Sequence, residues 1–78
     1  MDQKWLPTTI ESQLAHVIEE CGEVLAAAGK IQRFGWNNFN PDAPKDERES
    51  NFRVLLREMD DLEQAMRSLR QGMKERGA

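Results

Sequence analysis

The sequence has little of the chemistry that builds covalent cross-links or thiolate metal sites. It contains one cysteine and one histidine among 78 residues. A lone cysteine excludes a disulfide within the chain, and it cannot form a thiolate metal cluster from one chain. With a single histidine beside it, the usual zinc ligand sets are also nearly excluded.

Long apolar stretches and one-sided charge are missing as well. No apolar run approaches the roughly 18 residues of a membrane-spanning helix, and residues 1–7 have no apolar core that could act as a signal peptide. We therefore expect a cytoplasmic protein without a membrane partner. The 11 Lys plus Arg against 14 Asp plus Glu give a net charge of -3, which is not the balance of a basic nucleic-acid binder. The length predicts one small domain over residues 1–78.

Apolar residues recur at helical spacing in two long segments. In the first, Thr8 is placed to act as the N-cap and Glu11 to close a capping box. The helix is expected to end between Gly29 and Gly35, since either glycine can take the left-handed conformation at a helix end, and Gly35 is favoured because the period is lost after it. The sequence predicts a helix over about 9–34, and Cys21 on its apolar stripe is expected to be buried.

The second periodic segment follows a stretch without any period. That stretch, about 35–46, contains three Asn and two Pro and is predicted to be a loop. Asp46 with Glu49 forms a second possible capping box, so the next helix is predicted over about 47–72. No strand pattern is present in the sequence.

Two amphipathic helices joined by a loop predict an all-α helical hairpin. Each apolar stripe covers at least a third of its helix, so two stripes facing only each other would leave apolar edges in water. Small domains commonly correct this by oligomerising. We therefore expect the hairpin protomer to form a homo-oligomer, a dimer or a tetramer, with helices assembled into a four-helix bundle. Small residues in the run AAAG at 26–29 would permit close helix approach.

Carboxylates cluster once on each predicted helix, in the sequences EECGE and EMDD. At about 100° per residue, each cluster places two acids three residues apart on the same flank of the apolar stripe. These acids are Glu20 and Glu23 on the first helix, and Glu58 and Asp61 on the second. Helix packing could bring the four carboxylates together.

Two interpretations of these acids are open at this point. Carboxylate oxygens are the ligands that Mg²⁺ prefers, and the first cluster has no Lys or Arg three or four residues away to neutralise it. Alternatively, the acids simply form a solvated face. For Asp61 an ion pair with Arg57, four residues earlier, is a further ordinary explanation.

The pattern EExxE, followed on the next long helix by ExxD, resembles the MazG-like family of all-α nucleoside triphosphate pyrophosphohydrolases. The resemblance extends loosely over residues 14–66. It implies a Mg²⁺-dependent enzyme, with Mn²⁺ as a substitute ion, that hydrolyses a nucleoside triphosphate to the monophosphate and pyrophosphate. It also implies Glu20, Glu23, Glu58 and Asp61 as metal ligands. Glu19 would be the base for the attacking water, a further ligand, or a group supporting the ligands.

Five residues after the first acidic cluster are candidates for holding the substrate: Lys30, Arg33, Trp36, Asn37 and Asn38. The two cations could reach phosphate oxygens, or they could simply favour the dipole at the end of the helix. The tryptophan and Phe39 could stack on a nucleobase while an asparagine reads its polar edge. Capping of the bundle core explains the aromatic residues equally well.

Other functions remain open from the sequence. The chain could be a non-catalytic helical module whose apolar stripe binds a partner helix, or a degenerate relative of the MazG-like enzymes. A nucleic-acid role for the basic C-terminal end is a third idea. Nucleic acid is not the expected partner, because no aromatic residue is interleaved with those cations to stack on bases.

Overall fold

The computed structural model describes residues 8–77, and it is helical apart from its loops. Helix α1 spans Ile10–Phe34, a short 3₁₀ turn spans Lys45–Glu47, and helix α2 spans Asn51–Glu75. No strand occurs in residues 8–77, so the all-α prediction is confirmed. No helix within this range is long and apolar enough to cross a bilayer.

Helix α1 begins and ends close to the predicted residues. Its N-cap is Thr9 rather than Thr8: the Thr9 hydroxyl accepts from the Ser12 N–H at 3.1 Å, and the Ser12 hydroxyl accepts from the Thr9 N–H at 3.2 Å. Ser12 thus takes the place in the capping box that the sequence suggested for Glu11. The helix ends at Gly35, whose φ of 93° requires glycine and whose N–H donates to the Ile31 carbonyl.

Helix α2 begins four residues later than predicted and ends three residues later. The predicted cap at Asp46 is wrong because Asp46 lies inside the 3₁₀ turn, and Ser50 instead accepts from the Arg53 N–H at 3.3 Å. At the other end, Gly72 does not stop the helix. A Cβ at Gly72 would overlap the end of the Gln13 side chain, so this glycine leaves room for that side chain instead.

The two helices form an antiparallel hairpin whose ends are both fastened. At the open end, Arg76 donates to the Glu11 carboxylate at 3.2 Å. At the loop end, the Asn51 side chain donates to the Gly35 carbonyl at 3.0 Å, and the Phe52 N–H donates to the Trp36 carbonyl at 2.8 Å. The molecule measures 47 × 25 × 14 Å, so it is one layer of helices thick.

The interface between the helices is narrower than the apolar stripes. Only small or end-of-helix apolar residues are buried in residues 8–77: Ala27, Ile31 and Ala65. Cys21 is exposed, contrary to the prediction for it, because it lies on the part of the stripe that the partner helix does not cover. Six large side chains lie on that uncovered part, which we call the apolar face: Leu14, Ile18, Leu25, Leu56, Met59 and Met66.

The apolar face lies on one side of the hairpin, and the acids lie in the helix interface and on its other side. At about 100° per residue, Glu20 and Glu58 have the angle of the interface itself. Glu23 and Asp61 precede the interface on their helices, and the apolar face follows it on both. Because the helices run antiparallel, equal rotations on the two helices point to the same side of the layer. One side is therefore apolar, and the other, the acidic side, carries carboxylates at the edge of the interface.

Candidate functional site

Three of the predicted acids meet on the acidic side of the hairpin. Glu20 from α1 and Glu58 and Asp61 from α2 each offer a carboxylate oxygen, and the three oxygens lie within 4.8 Å of one another. Glu58 and Asp61 are three residues apart, which places them on one face of α2, towards α1. We call these three residues the carboxylate cluster.

Two basic side chains, His16 and Arg57, border the carboxylate cluster. His16 lies four residues before Glu20, and its Nε2 is 3.2 Å from the Glu20 Oε1. Arg57 contacts Glu49 and lies 3.7 Å from the Glu58 carboxylate. The ion pair of Arg57 with Asp61 that the sequence allowed does not form, and within residues 8–77 Asp61 has no ion pair.

The charge on Glu58 is disfavoured in the folded chain. Burial is the main cause that raises the pKa of Glu58, and the negative charges of Glu23, Asp61 and Glu20 raise it further, while Arg57 lowers it. The side chains of Glu20 and Glu58 are only 13% and 15% exposed. The cluster thus carries partly desolvated negative charge that a cation would stabilise.

Glu23 and Glu19 lie outside the carboxylate cluster. Glu23 is exposed, but it is close enough to Glu58 to act on its charge. Glu19 is exposed one residue before Glu20. Their predicted roles, as a ligand and as the base, stay predictions.

The donor set of the cluster fits a hard divalent cation. It offers carboxylate oxygens alone, whereas soft ions select thiolate and imidazole ligands. Mg²⁺ usually binds through a few carboxylates and completes its octahedron with water and substrate phosphate. The cluster therefore has the composition expected of a Mg²⁺ or Mn²⁺ site.

A pocket of about 510 Å³ lies at the loop end of the hairpin, where α1 meets the loop and the start of α2. Its lining comprises a lysine, two phenylalanines, three asparagines and a proline: Lys30, Phe34, Phe39, Asn38, Asn40, Asn51 and Pro41. We call it the loop-end pocket. Aromatic rings, amides and one cation are a combination that suits a planar polar ligand carrying negative charge.

The loop-end pocket includes only part of the predicted substrate-binding set. Lys30 and Asn38 line it, whereas Arg33, Trp36 and Asn37 do not. Trp36 packs instead against Phe52, with ring centroids 6.0 Å apart.

Four residues of the pocket lining were not predicted from the sequence: Phe34, Asn40, Pro41 and Asn51. Phe34 was detectable, because it follows Lys30 by one helical turn on the same flank as the acids. Asn40 and Asn51 were not, since their positions depend on the path of the loop.

No family model matches the chain, and neither does any curated protein or solved structure. The function must therefore be inferred from the site itself. That site combines a carboxylate cluster and a pocket with aromatic and amide walls on the same hairpin.

Proposed function

We propose that the protein is a Mg²⁺-dependent nucleoside triphosphate pyrophosphohydrolase of the MazG-like kind. The observation that carries the proposal is the convergence of Glu20, Glu58 and Asp61 from two helices. Bringing like charges together at partly buried positions costs stability, and a bound divalent cation offsets that cost. The resemblance of EExxE and ExxD to the family motifs gives the reaction.

In this proposal the carboxylate cluster holds the ion, with Glu23 as a further ligand. A Mg²⁺ ion held there would supply charge neutralisation of the triphosphate and would make its phosphorus more electrophilic. The water oxygen bonds to the α-phosphorus, and the bond between the α-phosphorus and the oxygen that it shares with the β-phosphorus breaks. Glu19 accepts the proton of the water, and the products are the nucleoside monophosphate and pyrophosphate.

We also propose that two or more copies of the hairpin pack through the apolar face to form a four-helix bundle. Leu25 is 73% exposed, and five other large apolar side chains share its face of a layer only 14 Å thick. A contiguous apolar surface of this kind marks an interaction site. Packing there leaves the acidic side of each hairpin open to substrate.

The test is pyrophosphate release from a panel of nucleoside triphosphates, with Mg²⁺, with Mn²⁺ and with a chelator. The key variant is Asp61→Asn, which removes one charge from the cluster and breaks no ion pair among residues 8–77. Its matched control is Asp60→Asn, the same change at an exposed neighbour outside the cluster. We expect chelator-sensitive release that Asp61→Asn lowers at least about 100-fold and Asp60→Asn leaves unchanged.

The apolar face supports a second candidate function, a non-catalytic module that binds a partner helix. Under that function a folded protein would release no pyrophosphate from any triphosphate, and Mg²⁺ would not raise its melting temperature. Either the absence of release or equal activity of the two variants would refute the proposed enzyme.

A further inference from the structure

The loop-end pocket and the carboxylate cluster lie in line along the same side of the hairpin. On α1, Lys30 and Phe34 share the flank that carries Glu20 and Glu23, at about 100° per residue. Lys30 follows Glu20 by ten residues, which at 1.5 Å per residue is about 15 Å, and on α2 Glu58 follows Asn51 by seven, which is about 10 Å. The ribose and phosphate chain of one nucleotide can bridge such a distance.

The walls of the loop-end pocket present aromatic surface to a ligand. Phe34 is 60% exposed and Phe39 is 41% exposed, so neither ring is used to build the core. Both line the pocket. Exposed rings of this kind bind nucleobases by stacking, which tolerates any base.

The asparagines of the pocket supply the selectivity. The Asn38 and Asn40 side-chain oxygens accept from the Phe39 and Asp42 N–H groups, at 2.8 Å and 3.0 Å, which leaves their amino groups to donate. Asn51 is the reverse: its amino group donates to the Gly35 carbonyl, which leaves its oxygen to accept. Two donors and one acceptor complement the pairing edge of a pyrimidine base, which offers two acceptors and one donor. The pairing edge of guanine has the opposite balance.

Arg48 fixes the outer wall of the pocket. Its guanidinium group donates to the Ala43 and Pro41 carbonyls, both at 3.1 Å, and lies 5.0 Å above the Phe39 ring. The loop is thereby held in one conformation before a ligand arrives, which lowers the entropic cost of binding.

We propose that the loop-end pocket binds the nucleobase of the substrate and prefers pyrimidines, with the phosphates directed along α1 towards the carboxylate cluster. The direction of the phosphates rests on the proposed function. The base site does not, because stacking and amide hydrogen bonds need neither a metal nor a triphosphate.

The first experiment uses uncharged nucleosides, so that no phosphate or metal contributes. The ¹⁵N-labelled full chain is titrated in chelator with cytidine, uridine, adenosine and guanosine, and amide chemical shifts are followed. We expect shifts at Phe34, Phe39 and Asn51 and in the side-chain amides of Asn38 and Asn40, with the pyrimidine nucleosides binding more tightly. Absence of pocket shifts, or tighter binding of guanosine, would overturn the proposal.

Variants separate stacking from hydrogen bonding at the pocket. Phe34→Ala should weaken cytidine binding about tenfold through lost stacking. Asn40→Asp keeps the acceptor for the Asp42 N–H but removes the amino donor, and it too should weaken binding several-fold. Gln64→Glu, the same amide-to-acid change on exposed α2 surface, should leave the affinity unaltered. Equal affinities for Asn40→Asp and Gln64→Glu would remove Asn40 from the site.

Hydrolysis assays distinguish failure of the base site from failure of the enzyme. Phe34→Ala should raise KM for a pyrimidine triphosphate about tenfold with kcat nearly constant, and Asp61→Asn should abolish turnover while the nucleoside shifts persist. Turnover with an unaltered KM in Phe34→Ala would overturn the base site and leave the enzyme standing. If nucleosides change the amide chemical shifts of the pocket in a protein that hydrolyses no triphosphate, the proposed enzyme function is refuted and the base site is retained.

Discussion

The two sides of the hairpin differ in the kind of binding partner that would stabilise them. The apolar face exposes large side chains such as Leu25 and Leu56, which other apolar surface would stabilise. The acidic side concentrates carboxylates at Glu20, Glu58 and Asp61, which a cation would stabilise. In both cases the isolated chain carries groups that a binding partner would stabilise. The chemistry of these groups indicates whether that partner is an apolar surface or a cation.

The largest effect should come from placing a charge on the apolar face. Leu25→Glu is expected to convert the proposed oligomer to monomer, because the carboxylate would have to be desolvated in the helix interface. Ala26→Glu, one residue along on the outer surface, should leave the assembly intact. Light scattering after size-exclusion chromatography measures both. A chain that is already monomeric without substitution would contradict the four-helix bundle.

On the acidic side, Mg²⁺ should stabilise the fold. At about 100 times its Kd it adds roughly 2.7 kcal/mol, which for a domain of this size is on the order of 10 °C in melting temperature. Glu58→Gln should lose this response and should melt higher than the unmodified chain when metal is absent, because it relieves repulsion. Glu63→Gln, on exposed α2 surface, is the matched control. Identical Mg²⁺ responses in both variants would argue against the site.

Replacing Gly35 should cost about 1 kcal/mol of unfolding free energy. Its φ of 93° is unfavourable for any residue with a Cβ, so Gly35→Ala strains the end of α1 beside the pocket. The contrasting change is Gly22→Ala within the acidic segment, where nothing lies within 4 Å of an added Cβ. There alanine should stabilise the helix by about 0.5 to 1 kcal/mol. Urea unfolding should give changes in unfolding free energy of opposite sign for the two variants if α1 ends at Gly35.

The smallest effect is the dependence of stability on pH that Glu58 produces. The folded pKa of Glu58 is raised mainly by burial, so the folded state binds more protons than the unfolded state. In chelator, stability should therefore fall as pH rises from the ordinary glutamate range through the raised pKa of Glu58. The exposed Glu11 acts in the opposite direction at lower pH, since backbone hydrogen bonding and Arg76 lower its pKa. Urea midpoints across this range should lose their downward slope in Glu58→Gln.

Local signals predicted α1 better than α2. Gly29 and Gly35 were both possible ends of α1, and the loss of the apolar period after Gly35 favoured the correct one. The start was missed by only one residue because two threonines stand side by side. For α2, Asp46 was the predicted N-cap, whereas Ser50 is the observed one, and the next residue, Asn51, donates to the Gly35 carbonyl. That contact joins residues 16 apart, which periodicity does not detect.

Parts of the site were predictable for a similar reason. The angular match of Glu20 with Glu58 and Asp61 follows from helix periodicity, and the structure brings these three together. The exposure of Cys21 did not follow, because periodicity gives the width of an apolar stripe and not the width of the interface that covers it. The lining of the loop-end pocket depends on the path of the loop, so only part of it was predicted from the sequence.

The antiparallel layout also sets an order in which the chain can close. The contact of Asn51 with Gly35 spans 16 residues, whereas that of Arg76 with Glu11 spans 65. The entropy lost on closing a loop grows with its length, so contacts at the loop end have the lowest entropic cost. Each further turn of the two helices then adds contacts next to those already formed. The helices should therefore pair turn by turn, beginning at the loop-end pocket and ending at the termini. The like-charged carboxylates would then be forced together only after the wall beside them has been built, so their repulsion slows a late step instead of preventing the first.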